Sequence, residues 1–470
     1  MKNLSILQIY KNKNEILIAL TDNSYMLYHI TTGVFCRLLE EEVLIRNNIP
    51  KILSKDFNEL IKKQVNIQPN THEVSNKLSA LQYMSSECCN MRCKYCYANG
   101  GTYNNPTNDR LFTFEKYRDS YNSILKLYSD GVESISFFGG EPLLNYKEID
   151  KFLKYNEENR NTYKYSIITN GTIFHDEIFE MLKKYRFSIT VSVDGPKEIN
   201  DFSRVDVDGN GTFDKVSRFI AQLNSNEMIP AIEMTITKKH ILSYEKGKIR
   251  EWIQFLNDYN VKGYAPFIVV DSTISYNDSE LEQIKSIFKE FVDIFFADLL
   301  NESTLVNLKI LKMVYCIANR KYQKDCGAGR SITIANNGYV YPCQMFVNDS
   351  KYRISLDDIS PIVGNTTLFR GMNSYRINVN KCNKCNVRNF CGVWCRGLNY
   401  LNNNSINVPI EIRCKVENIM FERILENLSL FKEKEIEQFK ENLSRVIKIQ
   451  NGLWLWRKKY SIFWPLFFQC

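Results

Sequence analysis

Cys89, Cys93 and Cys96 place three thiols within eight residues, in the order Cys-x3-Cys-x2-Cys. Thiolates so spaced can each take one iron of a cubane [4Fe–4S] cluster, which leaves the fourth iron without a protein ligand. A protein that needs only an electron store supplies a fourth cysteine, so an open iron points to a further molecule that binds it. Three close cysteines also fit part of a zinc site, which usually closes with a fourth ligand, or small buried apolar side chains. Cys88 lies next to the cluster, but its spacing to Cys93 is one residue too long, which makes Cys89 the better first ligand.

Downstream, Ile135-Ser136-Phe137-Phe138 reads as a buried strand and runs into Gly139-Gly140-Glu141-Pro142, 43 residues after Cys96. Two glycines let backbone approach a ligand closely, and the proline ends the strand. Strand 165–168 runs into Thr169-Asn170-Gly171-Thr172, and strand 189–193 into Asp194-Gly195-Pro196. Both put small polar residues at the carboxyl end of a strand, where barrel enzymes place their ligands. Asn170 and Asp194 also fit as caps of the following turns.

The cysteine spacing, Tyr95 just before its last cysteine, and the Gly139–Pro142 turn resemble the radical S-adenosylmethionine (SAM) family. The resemblance implies that SAM chelates the open iron through its amino and carboxylate groups. It assigns SAM contacts to Tyr95, Gly139, Gly140, Glu141, Asn170, Ser192 and Arg204. The Gly-Gly-Glu-Pro turn would bind the amino group through backbone and carboxylate acceptors. Ser192 and Arg204 match SAM contacts of the sulfatase-maturing and peptide-modifying branches, and arginine's planar fork suits a carboxylate.

Strand patterns at 81–84, 135–138, 165–168, 189–193, 231–237 and 264–270 alternate with helical patterns at 113–130, 146–160, 175–185, 214–226 and 243–258. Such alternation predicts parallel βαβ units. The expected fold class is α/β: a partial (β/α)6 TIM-like barrel, a C-terminal Cys-rich domain and a small N-terminal α+β domain. The expected boundaries are 1–75, 79–300, 310–425, and 426–470 for a C-terminal helix and aromatic-rich tail.

A second cysteine set runs from Cys326 to Gly338 after eleven residues, and to Cys343 after four more. It continues Cys382-x2-Cys385-x5-Cys391-x3-Cys395, and closes at Cys414. These pairs also suit a zinc ribbon. The spacing resembles the SPASM module, with all seven of its cysteines present. The resemblance implies two auxiliary [4Fe–4S] clusters, the outer on Cys382, Cys385, Cys391 and Cys414, the inner on Cys326, Cys343 and Cys395. The inner set is one ligand short. Cys316 can be that ligand, or a free buried cysteine in the apolar helical stretch 310–315, the iron then staying open to substrate.

The chain has 470 residues, a net charge of +8, 44% hydrophobic and 24% charged residues, and 14 cysteines. That length allows two or three domains with ordinary interiors. No dense Lys/Arg stripe with interleaved aromatics is present, so nucleic acid is not an expected partner; the charge is compatible with an acidic peptide. Lys11, Lys13 and Glu15 interrupt any secretory apolar core. Many cysteines without an export signal argue for thiols and metal sites in a reducing cytoplasm, and oxygen-labile clusters for an anaerobic cell. Asp206 to Gly211 starts like a calcium loop, but Ser217 stands where the bidentate Glu belongs, which leaves a surface turn before a helix near Phe213.

At the N-terminus, strands at 6–10, 16–20 and 25–28 and helices at 33–42 and 50–63 are predicted. That order is similar to the winged-helix leader-binding domains of peptide maturases, which add a leader peptide to a sheet edge. The C-terminal runs 453–456 and 462–468 are aromatic-rich around Arg457-Lys458-Lys459. They are too short to span a bilayer; packing on the body is favoured over contact with a membrane interface.

Taken together, the resemblance implies a radical SAM enzyme that modifies a ribosomal precursor peptide, leader and core, drawing electrons from a donor such as flavodoxin or ferredoxin. Cys-to-carbon thioether formation is the first expectation, a carbon–carbon crosslink the second, and sulfatase maturation a third. Against the third, the sulfatase branch has an aspartate base directly after the equivalent of Cys343, where this chain has Gln344. A non-catalytic Fe–S or zinc scaffold that binds peptide would need neither the Gly139–Pro142 turn nor the three-cysteine site.

Overall fold

The computed structural model describes residues 4–69, 77–105, 110–270, 274–323, 325–329, 331–358, 369, 372 and 376–454. Four strands, β1 (Ile6–Lys11), β2 (Glu15–Leu20), β3 (Tyr25–His29) and β4 (Val34–Leu38), form an antiparallel meander. A hairpin of β5 (Val43–Arg46) and β6 (Ile49–Ile52) and a helix, Lys55–Lys63, follow. The helix expected at 33–42 is therefore a strand. Gly33, in the left-handed region at φ +69, closes the turn from His29. Val34, Cys36 and Leu38 then face one apolar cluster while Phe35 faces another. With both faces buried, the run has the continuous apolar character that periodicity alone cannot tell from a buried helix. The expected 50–63 helix is likewise shortened to Lys55–Lys63, so the order of three strands and two helices is not found.

Six parallel strands follow: β7 (Leu81–Ser86), β8 (Ser134–Gly139), β9 (Lys164–Thr169), β10 (Ser188–Ser192), β11 (Ala231–Ile236) and β12 (Gly263–Ile268). Their spatial order is the sequence order, a partial barrel, with crossover helices Phe114–Leu127, Tyr146–Glu158, Asp176–Lys184 and Phe213–Ser225. Ile149, Phe152 and Leu153 illustrate the buried i, i+3, i+4 stripe of such helices. The helix expected at 243–258 starts late: a turn ending in Gly247 at φ +98 precedes Lys248–Gln254, which runs on as a 3-10 turn over Phe255–Asp258, and a separate short helix, Lys238–Leu242, lies before it.

The sheet continues past β7. Strand β13 (Ile332–Ile334) pairs parallel with β7, and β14 (Tyr339–Tyr341) and β15 (Ile354–Ser355) add antiparallel. The Cys-rich segment is thereby an extension of the barrel sheet. Helices Leu308–Ala318, Arg396–Asn403, Glu411–Leu430 and Glu433–Trp454 complete the C-terminal part. The aromatic tail beyond Trp454 lies outside the described residues, as do the side chains of 450–454. Among the described residues no helix is long and apolar enough to cross a membrane.

The N-terminal meander lies against the Cys-rich part. Asn389 Nδ2 donates to Ile30 O at 2.7 Å, Arg388 Nη2 to Thr31 Oγ1 at 3.1 Å, and Arg320 Nε to Thr32 O at 2.8 Å. Tyr28 packs edge-on against Phe421 at 5.5 Å. The meander's far face and the Lys55–Lys63 helix form a separate small core around Phe57, which is fully buried. Phe57→Ala is expected to lower stability by about 3–5 kcal/mol, read by chemical denaturation, without changing small-molecule binding at the barrel.

Candidate functional site

The cysteine loop leaves the carboxyl end of β7 and is pressed onto the end of β8 by backbone contact. Gly140 N donates to Ser86 O at 2.8 Å and Glu141 N to Cys88 O at 2.9 Å. A Cβ on Gly139, at φ +139, would lie 2.0 Å from Ser86 O; one on Gly140 would lie 2.2 Å from Cys88 O. Gly101 closes the other side, since its Cβ would lie 2.7 Å from both Cys89 Cβ and Gly140 Cα. All three positions exclude a side chain, and Gly101 is one that sequence reasoning missed. Two further bonds, Arg92 N to Val205 O at 2.7 Å and Lys94 N to Ser203 O at 3.0 Å, tie the loop to the segment that carries Arg204.

Glu141 is a brace. Its Oε1 accepts from Leu143 N at 3.0 Å and Thr169 Oγ1 at 2.8 Å, and its Oε2 from Asn170 N at 2.7 Å. Complete burial pushes its carboxyl up to about 7, against those donors. Asn170 Nδ2 points at Cys89 Sγ (3.7 Å) and Asn90 Oδ1 (2.9 Å). Met91 N donates to the same sulfur at 3.4 Å.

Across the loop, Tyr95 Oη donates to Asp194 Oδ2 at 2.7 Å and accepts from Arg204 Nη1 at 2.6 Å. Asp194 Oδ1 accepts from Thr235 N at 3.0 Å, and His240 Nε2 lies 2.8 Å from Asp194 O. Asp194 is thus the hub of a buried network rather than a turn cap. Arg204 is held by it through Nη1.

One cavity of about 390 Å³ collects Cys89, Cys93, Cys96, Tyr95, Gly139, Gly140, Glu141, Asn170, Ser192 and Arg204. It is also lined by Glu233, Phe267, Gln344 and Arg413. Glu233 and Arg413 were not singled out in the sequence; Glu233 could have been, as an acid inside the apolar strand 231–237. Among the described residues no three His, Cys, Asp or Glu side chains converge on a single metal-ion point. A cubane does not ask for that, since each thiolate takes its own iron. The residues present fit such a group: three thiols line the cavity, and amide donors point at Cys89 sulfur, as suits a thiolate. Burial, then the Glu141 carboxylate, pushes the Cys89 thiol up to about 12, so cation binding would release its proton.

The seven thiols of the second cysteine set fall into two electrostatic groups. Cys326 and Cys395 share a hydrogen bond, and Cys343 feels the Cys326 charge. Cys382 feels Cys414 and Cys385, and Cys391 feels Cys414. Cys326 and Cys343 flank the β13–β14 hairpin, and Gln344 and Met345, directly after Cys343, line the cavity. Arg376, nearly fully buried, pairs with Asp325 at 3.0 Å and donates to Cys391 O at 2.6 Å, which fixes the Cys385–Cys391 turn. Cys316 belongs to neither group: after burial, its thiol feels Lys312, Lys321 and Arg376 and no cysteine.

Residues 83–244 match the family model of the Radical SAM superfamily. Among curated proteins, the chain is 23% identical over 453 residues to the radical SAM cyclopropyl synthase TigE of Paramaledivibacter caminithermalis. That alignment covers 86% of this chain and 93% of TigE. It is 27% identical over 345 residues to the cysteine-type anaerobic sulfatase-maturating enzyme of Clostridium perfringens (strain 13 / Type A), covering 68% and 89%. Among solved structures, a polyhistidine-tagged anSMEcpe with bound AdoMet superposes with a TM-score of 0.62 at 20% identity, covering 77% of this chain and 98% of that one. Native anSMEcpe with bound AdoMet and Cp18Cys peptide gives 0.60, covering 80% and 99%. These superpositions show the fold.

Gly140→Ala is expected to displace the Cys88–Cys89 backbone. The variant should lose about four irons of the reconstituted protein and bind SAM at least about tenfold more weakly, measured by iron analysis and equilibrium dialysis. Cys316→Ala is expected to leave the iron content unchanged; loss of a cluster's worth of iron would make it a ligand.

Proposed function

We propose that this chain, which belongs to the radical SAM superfamily and is related to peptide- and protein-modifying maturases, is a SPASM-type peptide maturase that closes a bond within a ribosomal peptide. The observation that carries the reading is the shared cavity: the three-cysteine loop and residues of the Cys-rich segment, Gln344 and Arg413, line the same space. A scaffold that only bound peptide would not need a strand end shaped to bring backbone against the cysteine loop.

In this reading Cys89, Cys93 and Cys96 hold the SAM-binding cluster, Cys326, Cys343 and Cys395 the inner auxiliary cluster, and Cys382, Cys385, Cys391 and Cys414 the outer one. Bound SAM and its cluster would supply a 5′-deoxyadenosyl radical that takes a hydrogen atom from the peptide. Gly139 and Gly140 let backbone reach the methionine end, while Glu141 holds the ends of β8 and β9 together and Asn170 orients on Cys89. Tyr95 and Arg204, fixed by Asp194, form a rigid wall beside Cys93, and Ser192 adds a hydroxyl. Phe138, Phe267 and Ile268 make the apolar side that keeps water from a reactive intermediate. The N-terminal meander offers β1 as an edge strand for a leader peptide.

Cys-to-carbon thioether formation remains the first product assignment. A carbon–carbon ring or crosslink stands second, supported by the alignment to a cyclopropyl synthase over most of both chains. Sulfatase maturation is supported by the sulfatase-maturating relatives, but Gln344 lacks the proton-accepting carboxylate of that branch.

Co-expression with each short open reading frame flanking the gene tests the reading by mass spectrometry. The expected product has lost the mass of two hydrogens per bond, and a cysteine that resists alkylation marks a thioether. Anaerobically reconstituted protein should hold about eleven to twelve irons. The Cys89, Cys93 and Cys96 triple Ala variant should make no 5′-deoxyadenosine while keeping its auxiliary iron; continued SAM cleavage would refute the ligand assignment.

A further inference from the structure

Four charged side chains line the cavity: Glu141, Arg204, Glu233 and Arg413. The first two are bound to the protein itself, Glu141 to the β8 and β9 ends and Arg204 to Tyr95. The side chains of Glu233 and Arg413 make no hydrogen bond or ion pair with the described residues. Glu233 pairs in register with Ser192 on the neighbouring strand, which puts both on the inner face. Arg413 is 8% exposed, near the start of helix Glu411–Leu430, and its Nη1 is sealed from solvent without a partner. Its charge acts on Glu233 from one side and on the Cys395 and Cys414 thiols from the other.

A buried guanidinium without an anion is strongly unfavourable, and so is a carboxylate without a donor. Arg204 and then Arg413 act on the Glu233 carboxylate through their charge, yet no ion pair joins Glu233 to Arg413, so the Arg413 guanidinium is left for an anion that a ligand supplies. The Nε–Nη2 edge of its planar fork, which is not sealed off, matches a carboxylate bidentately. Gln344, on the same wall, adds a neutral donor.

We propose that Arg413 is a substrate-binding residue: the modified segment of the peptide presents a carboxylate, from an Asp or Glu side chain or from its own C-terminus, to the Arg413 guanidinium. The proposal rests on the peptide-maturase reading and names the substrate class for that site.

The test uses iron-replete holoenzyme with SAM bound, titrated calorimetrically with three probes: acetyl-Gly-Cys-Glu-Gly-amide, acetyl-Gly-Cys-Gln-Gly-amide, and acetyl-Gly-Cys-Gln-Gly with a free C-terminus. Either the Glu probe or the free C-terminus should bind about tenfold or more tightly than the fully neutral probe, as befits a charge-assisted bidentate contact; which one does identifies the source of the carboxylate. Arg413→Gln should erase the preference. Arg413→Lys, which keeps the charge and loses the fork, should retain part of it, and both variants should keep the iron content and SAM affinity of the parent.

No preference in the parent, or no binding of either acid at millimolar concentration, overturns the proposal. So does a preference that survives Arg413→Gln. Weakened SAM binding in that variant would instead make the SAM carboxylate the partner, and shifted auxiliary-cluster potentials with the peptide preference intact would make the clusters the partner; either overturns it. Peptide modification without acid preference would refute this subsite and spare the maturase reading. Acid preference without modification of any peptide would do the reverse.

Discussion

Backbone meets backbone where β7 and β8 end, and the rest of the site depends on that contact. Gly140 N to Ser86 O and Glu141 N to Cys88 O set the cysteine loop at a separation that admits no Cβ on either glycine. The Glu141 carboxylate then carries the constraint to β9, through Asn170 N and Thr169 Oγ1, and Asn170 returns it to Cys89 sulfur. A closed circuit of this kind fixes three strand ends at once. It uses hydrogen bonds whose donors would otherwise be buried and unpaired, so loss of any member leaves the others exposed to the full desolvation penalty.

The second constraint is sheet continuity. Because β13 pairs with β7, the Cys-rich segment is registered to the barrel by main-chain hydrogen bonds rather than by a flexible linker. Cys326 and Cys343, on either side of the β13–β14 hairpin, inherit that register. The outer thiols are held differently, by the Arg376–Asp325 pair, both residues buried, whose guanidinium organises three backbone carbonyls around the Cys385–Cys391 turn. A single buried ion pair is weak evidence for stability. Its value here is positional, since the N-terminal meander rests on Arg388 and Asn389 of the same turn.

Much of the barrel was legible because its signals are local. Strand ends at Gly139, Thr169 and Ser192 and the helices between them follow from periodicity and from glycine and proline punctuation. The N-terminal part was not: Val34 to Leu38 is apolar on both faces, and only the turn at Gly33 distinguishes a strand from a buried helix. The site divides in the same way. Cys89, Cys93, Cys96 and the Gly139–Pro142 turn carry their meaning in spacing. Asp194 reads as a turn residue and is a hub, because its partners Tyr95 and Arg204 come from 99 residues upstream and ten downstream. Gly101 gave no local signal; its need is set by two backbones that meet only in the folded chain.

The cavity's charges divide in two: those that shape the site are saturated by the protein, and Glu233 and Arg413 line the same space without side-chain partners. Glu141 and Asp194 are acids just past the ends of β8 and β10, yet every close donor to them is a backbone amide, a hydroxyl, or an arginine that also binds Tyr95. Glu233 and Arg413 share the cavity and lack such partners. Burial is common to both pairs, so burial does not decide the role; the supply of donors does. A buried arginine placed one residue before Cys414 and lining the cavity is poorly explained as scaffolding, because apolar packing at that position would avoid the desolvation penalty. An unpaired fork whose charge also acts on the Cys395 and Cys414 thiols is the kind of group that a ligand with its own negative charge would complete.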